Sequence, residues 1–513
     1  MFNFKKSVEK IVPDSKGIIN LNEYQLVKDL DKNIEIVKQI FKDDETLVKR
    51  LFQNQTDSKI KCCAFFIDGM VNNIIINENI IKPVVINKLL SKSPKTIDVI
   101  NSQVLFSNDV KKSDDLNEII ESVIYGDTAL FVDGSSSALI INSKGWQTRS
   151  ISEPDSEKAL RGPHEGFTES ILTNLSLIRR KIKTNDLKIK FRKFGTRSNT
   201  KACICYIDSL VDKKILKELE SRLDKIEIDG MLDTNYIVEY IKDSQLSPFK
   251  TVGITERPDS AAGKILEGRI ALLLDGSPQV LTAPYLFIEN FQSSDDYYLN
   301  FYFASIGRLL RLLGFFLSFS MPAIYVALVC YHKEMIPTSL ALSIAQSRQG
   351  VPFPTFIECM GMLVVFEILR EAGSRMPSNV GQALSIVGAL VIGQAAVTAK
   401  LISAPIVIIV AFTAITGLMG LKLKGASLII RTILLFLASF IGFYGYIFGV
   451  IGLLIHLLGL RSFGIDYTSQ IVSTKLQDAK DIFIRAPWWL MKTRPKSISK
   501  NSIRSEFNED KPI

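Results

Sequence analysis

Residues 432–460 read TILLFLASFIGFYGYIFGVIGLLIHLLGL, twenty-nine positions without an Asp, Glu, Lys or Arg. As one helix this run would measure about 43 Å at ~1.5 Å per residue, against a hydrocarbon layer of about 30 Å. It therefore reads either as one tilted span or as two short ones. Gly442, Gly445, Gly449 and Gly452 lie inside it. Upstream, 312–331, 381–399 and 401–421 are further uncharged runs, and 355–369 is apolar apart from Glu358 and Glu367. Runs of this length and number predict an all-α transmembrane bundle of five or six helices over 309–460. Pro322 falls inside the first run, where a proline kinks or breaks a helix.

Working outward, the polarity changes at both borders. Residues 309–460 carry 9 basic and 4 acidic residues and residues 461–513 carry 10 and 6. Of the chain's 62 basic and 53 acidic residues, 43 of each therefore fall in 1–308. The net +9 belongs to the bundle and to the 461–513 tail, a basic cytoplasmic tail with an interfacial segment marked by Trp488 and Trp489. Charge beside hydrophobic spans is what positive-inside retention produces, not the basic patch of a nucleic-acid binder. An even number of spans with both termini cytoplasmic fits best. No apolar signal-peptide core follows the N-terminus, so the first 300 residues are expected to stay on the cytoplasmic side.

The N-terminal part reads as an α/β soluble region of two subdomains. Residues 1–55 read as a helical segment, 56–150 as the first α/β subdomain and 151–308 as the second. Four apolar segments end in Asp-Gly or Asp-Ser: CCAFFIDGM (62–70), TALFVDGSS (128–136), CICYIDSLV (203–211) and RIALLLDGSP (269–278). Such dipeptides close strands, because Gly adopts positive φ cheaply and Asp bonds its own backbone. Asp68, Asp133, Asp208 and Asp275 are thus structural turn residues. The second and fourth segments continue as hairpins, and the third runs into LVDKKILKELESRLDKI (210–226), a helix. Thr168 is the expected cap of a helix bearing Ile171, Leu175 and Ile178. The six cysteines have apolar neighbours and no metal-ligand spacing, which reads as reduced core thiols in strands. No nucleotide-binding, zinc-protease or nucleophile-elbow motif occurs, so the chain is read as not an enzyme and as needing no cofactor or metal.

Function then rests on the bundle. Carboxylates in a span are costly, so Glu358 and Glu367 are expected to face protein or water, with Glu367 paired to Arg370 at i,i+3. In 381–399, Gly381, Ser385, Ala389 and Gly393 form a small-residue stripe for helix packing. Val387, Leu390, Val391 and Gln394 are the candidate pore or gate residues of that span, the alternative being packing alone.

Long ordered motifs carry a resemblance. They include RGPHEGFTESILTNLSLIRRKIKTNDL (161–187), TERPDSAAGKILEGRIALLLDGSPQVLTAP (255–284), RQGVPFPTFIE (348–358) and LLGLRSFGIDY (457–467). The chain resembles the A subunits of spore germinant receptors, the GerA family. The resemblance implies a multi-pass protein of the inner spore membrane, its soluble region on the cytoplasmic or spore-core side. It implies a homo-oligomer that works with a transporter-like B subunit and a lipoprotein C subunit. It also implies a nutrient-gated monovalent-cation channel that starts germination, in contact with membrane lipid and with no nucleic acid. The alternatives are the related spore VA operon membrane protein, which assists germination without sensing nutrient, and a non-conducting membrane scaffold.

Overall fold

The computed structural model describes residues 24–56, 60–87, 96–107, 109–145, 153–154, 157, 160–375, 388, 391–472, 481–495, 498–499 and 503–504. The N-terminal region holds two five-stranded antiparallel sheets of the same topology. The first contains β1 (Leu47–Gln53), β2 (Lys61–Ile67), β3 (Val110–Ser113), β4 (Thr128–Val132) and β5 (Ala138–Ile141), in the order β1-β2-β4-β5-β3. The second contains β6 (Leu187–Phe194), β7 (Thr200–Ile207), β8 (Gly253–Thr255), β9 (Ile270–Leu274) and β10 (Val280–Ala283), in the order β6-β7-β9-β10-β8.

The helices correspond too. The first sheet is preceded by α1 (Leu30–Ile40). After β2 come a π-helical turn (Ile75–Ile81) that runs into α2 (Lys82–Ile86), then α3 (Thr96–Val99). Its closing hairpin is preceded by α4 (Leu116–Ile124). The second sheet has α5 (Ile171–Lys181) before it, α6 (Lys213–Leu223) and α7 (Thr234–Ile241) after β7, and α8 (Pro258–Leu266) before the hairpin. The four strand-and-turn segments are therefore two pairs within one duplicated unit. Asp68 matches Asp208, and Asp133 matches Asp275. Gly69, Gly134 and Gly276 sit at φ of 79°, 90° and 85°, which accounts for Asp-Gly at three of the four turns.

Each sheet is covered on both faces, so its central strands read as continuous apolar runs without polar alternation. In β2, Cys63, Phe65 and Ile67 pack under α1 and α4, while Cys62, Ala64 and Phe66 pack against the segment containing α2 and α3. In β7, Ala202, Ile204 and Tyr206 meet α6 and α7, and Cys203, Cys205 and Ile207 meet α5 and α8. Most helix starts are capped by an acceptor, as the sequence favours: Asp29, Asp115, Asp212 and Asp233 each accept a first-turn N–H. The α5 cap is Ser170, not Thr168. Thr168 instead receives the side-chain amide of Asn174 on its carbonyl.

Residues 47–53, read as helical from sequence, form β1. Its consecutive Lys49 and Arg50 are both exposed, on opposite faces of an edge strand, and such charges mask the alternation. The two subdomains are joined through the segment before β1. Glu45 N–H donates to Ile189 O at 2.9 Å, and buried Arg179 donates to Asp44 and, at 2.8 Å, to Thr46 Oγ1.

The short α9 (Asp295–Tyr298) leads into α10 (Phe301–Cys330), a helix of about 45 Å. Pro322 lies within it without ending it. Then follow α11 (Thr338–Ser347) and α12 (Thr355–Ser374). Residues 391–398 are helical. The bundle closes with α13 (Ala404–Met419), α14 (Lys424–Ile441) and α15 (Phe443–Gly459).

The 432–460 run is thus two helices. They part at Gly442, whose φ of 64° and ψ of −139° suit glycine alone. They fold back closely: a Cβ on Gly445 would stand 2.1 Å from Leu437 O. Arg431 lies inside α14, which begins at Lys424, ahead of the uncharged run.

The bundle's ends are fixed by contacts. At the end next to the α/β region, Lys422 Nζ donates to Gln292 O at 2.8 Å and His456 Nε2 lies 3.0 Å from Ser247 Oγ. At the opposite end, Tyr331 OH donates to Ser439 O at 2.5 Å and Ser403 N–H donates to Glu358 at 2.9 Å. Hence α10 and α14 run away from the α/β region, and α12, α13 and α15 run toward it. The tail returns over that region. Asp481 pairs with Arg308 of α10 at 2.6 Å, Arg494 Nε donates to Leu266 O, and Ser499 bridges Val211.

Candidate functional site in the helical bundle

A charge inside an apolar helix needs a partner, and the bundle supplies two such sites. Arg431 sits on the buried face of α14 with Ile430, Leu434 and Leu435. Its Nη2 donates to Glu367 Oε1 of α12 at 2.6 Å, and Arg370, one turn along α12, pairs with the other oxygen of Glu367. One carboxylate therefore serves two guanidinium groups. The Arg370 contact follows from i,i+3 spacing. The Arg431 contact was not legible, because its partner is 64 residues away. Beside this triad a cavity of about 650 Å³ separates α12 from α14, lined by Met360, Val364, Ile368, Glu371, Leu428 and Thr432 among others.

Glu358 lies one helical turn inside α12 at the far end and is 2 % exposed. One oxygen accepts the N–H of Ser403, the cap residue of α13, and the other is 3.4 Å from Arg348 Nη2. A carboxylate here is stabilised by the positive ends of α12 and α13 together with the guanidinium. Three buried hydroxyls in this part of the bundle, Tyr325 OH, Thr355 Oγ1 and Ser403 Oγ, have no hydrogen-bond partner among the described residues. Glu358 and Glu367 sit at separate sites, each with its own arginine.

Of the small-residue stripe, Gly393 is described. It is buried, and its Cβ position meets Val407 of α13 and approaches Met362 of α12. Of the candidate pore residues, Val391 is 57 % exposed and Gln394 is exposed on the same outer side. Gly381, Ser385, Val387, Ala389 and Leu390 lie outside the described residues.

No group of three or more His, Cys, Asp or Glu side chains suited to a metal occurs among the described residues. Burial pushes the thiols of Cys62 and Cys63 up to about 12, far from the range of a reactive thiolate. Two cysteines depart from the reading as strand residues: Cys359 is buried in α12, and Cys330 is exposed at the end of α10.

Two of the described helices, Phe301–Cys330 and Lys424–Ile441, are long and apolar enough to cross a membrane, and Ala404–Met419 and Phe443–Gly459 are shorter apolar helices. A family profile described as Bacillus/Clostridium GerA spore germination protein matches residues 35–497. The chain belongs to this family, in its A-subunit class. It is 41 % identical over 486 residues to spore germination protein KA of Bacillus subtilis, covering 94 % of this chain and 89 % of that one. It is 41 % identical over 454 residues to the membrane protein YfkQ of the same organism, covering 88 % of each chain. Spore germination protein GerLA of Bacillus cereus is 37 % identical over 442 residues, covering 85 % of this chain and 89 % of its own. Among solved structures, the N-terminal domain of the A subunit of the Bacillus megaterium spore germinant receptor GerK3 aligns at 31 % identity. It covers 52 % of this chain and 98 % of that one, with a TM-score of 0.42.

Proposed function

We propose that the chain is the A subunit of a nutrient germinant receptor in the inner spore membrane, and that several copies surround a path for monovalent cations lined by 381–399. It acts with a transporter-like B subunit and a lipoprotein C subunit. The bundle crosses the membrane six times, through α10, α12, 381–399, α13, α14 and α15. Both the α/β region and the tail then stand on the cytoplasmic, spore-core side. Contacts at the two ends of the bundle support this count: the α/β region and the tail meet at one end, which requires an even number of crossings.

The observation that carries the conducting role is the orientation of 391–398. Gly393 turns inward against α12 and α13, while Val391, Gln394 and Thr398 are exposed on the single chain. Ile392 and Ala395 are exposed as well, so the outward side mixes apolar side chains with Gln394 and Thr398, and those two polar groups suit a shared, partly wetted axis better than lipid. Permeation needs such weak sites, without fixed charge to trap the ion.

The test is potassium efflux measured together with subunit level in sporulating cells. Val391→Ala and Leu390→Ala are expected to leak cations without nutrient while the protein level is kept. Stable protein with unchanged efflux across a scan of 381–399 removes the pore assignment. Loss of the oligomer without leak favours packing alone.

A further inference from the structure

A cavity of about 460 Å³ lies where α8, α9, the link before α14 and the tail meet, at the bundle end nearest the α/β region. Its lining carries four carboxylates and four cations, and they are not all paired with one another. The lining carboxylates Asp259, Glu267 and Glu289 each have guanidinium or ammonium partners: Arg257 for the first, Arg269 and Arg504 for the second, Lys264 and Arg269 for the third. Glu157 is engaged by Thr255 Oγ1 and the N–H of Glu256.

Two lining cations remain with carbonyl oxygens only. Lys422 donates to Gln292 O at 2.8 Å and to Glu289 O at 3.4 Å. Arg494 donates to Leu266 O at 2.8 Å and to Ile503 O. Neither has a carboxylate within ion-pair distance among the described residues. Lys264 and Arg504 are already held in ion pairs, so of the four lining cations Lys422 and Arg494 are the two that an entering anion could engage without breaking an existing pair.

Its position narrows the anion. The aromatic part of the wall is Tyr285, Tyr297, Tyr298 and Trp488, with the Trp488 ring 5.9 Å from Tyr297. Phe301 packs on Trp489 at 6.0 Å just beyond. The outward side of α10 then continues as Tyr302, Phe303, Ile306, Leu309 and Leu310, all 46 to 68 % exposed. A charged pocket, an aromatic belt and an exposed apolar stripe in that order reproduce the headgroup, interface and acyl layers of a leaflet.

We infer that this cavity binds the phosphodiester headgroup of an anionic phospholipid through Lys422 and Arg494, its acyl chains lying along the outer face of α10. The inference rests on the reading that the bundle lies in a membrane. It adds that one lipid class is held specifically, tying the α/β region, the bundle and the tail together.

The experiment uses the full chain in phosphatidylcholine nanodiscs, with phosphatidylglycerol added in steps and the thermal midpoint recorded. Incorporation into the discs tests the membrane reading by itself. A saturating rise of roughly 3–6 °C is expected with phosphatidylglycerol. It is lost in Lys422→Gln/Arg494→Gln and kept in Lys422→Arg. No rise in the parent, or the same rise in the double variant, overturns the site. An equal rise from inorganic phosphate in discs without phosphatidylglycerol overturns the lipid as its source.

Discussion

Replacing Glu367 by Gln keeps shape and removes one charge, and the structure gives the size of the effect. Arg431 is left at 6 % side-chain exposure among Ile430, Leu434 and Leu435, without the carboxylate it pairs with among the described residues. Removing one partner of a buried pair costs about 3–5 kcal/mol, because the other charge stays desolvated. Glu367 is 20 % exposed and Arg370 27 %, so part of the triad is already wet and the lower end applies. For a cooperative unit the size of the bundle, ~3 kcal/mol lowers the midpoint by about 6–12 °C. Glu367→Gln/Arg431→Met removes both charges and is expected to recover most of that loss, since apolar replacement of an entire buried pair is often neutral. Thermal unfolding of purified protein in detergent, followed by intrinsic fluorescence, reads both. A midpoint within 1–2 °C of the parent for the single variant refutes the pairing. So does a double variant no better than the single.

Asp44→Ala strands buried Arg179 between the subdomains, so the isolated α/β region is expected to lose about 3 kcal/mol or more in urea unfolding. Asp275 accepts the N–H of Ile171 at the start of α5 at 3.1 Å, so Asp275→Ala is expected to cost about 0.5–2 kcal/mol in the same assay, while Asp275→Asn retains an acceptor and costs less. Gly445→Ala places a Cβ 2.1 Å from Leu437 O, and its yield in membranes is expected to fall severalfold; a normal yield contradicts the close α14–α15 approach. Burial raises the Asp259 carboxyl, but hydrogen bonds from Arg257 and Tyr298 outweigh it and hold it below its ordinary value. Its stabilisation is therefore complete above about pH 4 and is lost as pH falls through the lowered value; Asp259→Asn is expected to flatten that acid limb of the stability curve.

Much of the α/β region was legible because strands covered on both faces announce themselves as apolar runs closed by Asp-Gly. The duplication was less so. Four similar turns look like four units until the strand order shows that Asp68 and Asp133 belong to one sheet. β1 was missed because LVKRLFQ, as an edge strand, carries the consecutive charges Lys49 and Arg50, which break the apolar–polar alternation. Within the bundle, local spacing gave Glu367 with Arg370, but not Arg431, nor the cap that Glu358 places on α13 from 45 residues away. The start of α10 was hidden by Arg308 and Arg311, which are tolerated in the helix because Asp296 and Asp481 neutralise them, the second lying 173 residues further on. Sequence proximity carries no trace of such pairs. The tail was read as basic and interfacial, and its return over α8 rests on backbone acceptors that composition does not reveal.

Gly442 has a consequence for biogenesis. On the proposed six-crossing topology, the insertion machinery meets 432–460 as one hydrophobic segment, and only the bend at this residue divides it into an outbound and an inbound passage. A β-branched side chain there cannot adopt φ of 64° without strain and favours one continuous passage. Parity would then invert for everything downstream. The last fifty residues would be synthesised into the opposite compartment, out of reach of Arg308, Leu266 and Val211. A single dihedral angle thus acts as the sorting decision for the C-terminus, and variants at 442 would fail as misrouted chains before any question of signalling arose.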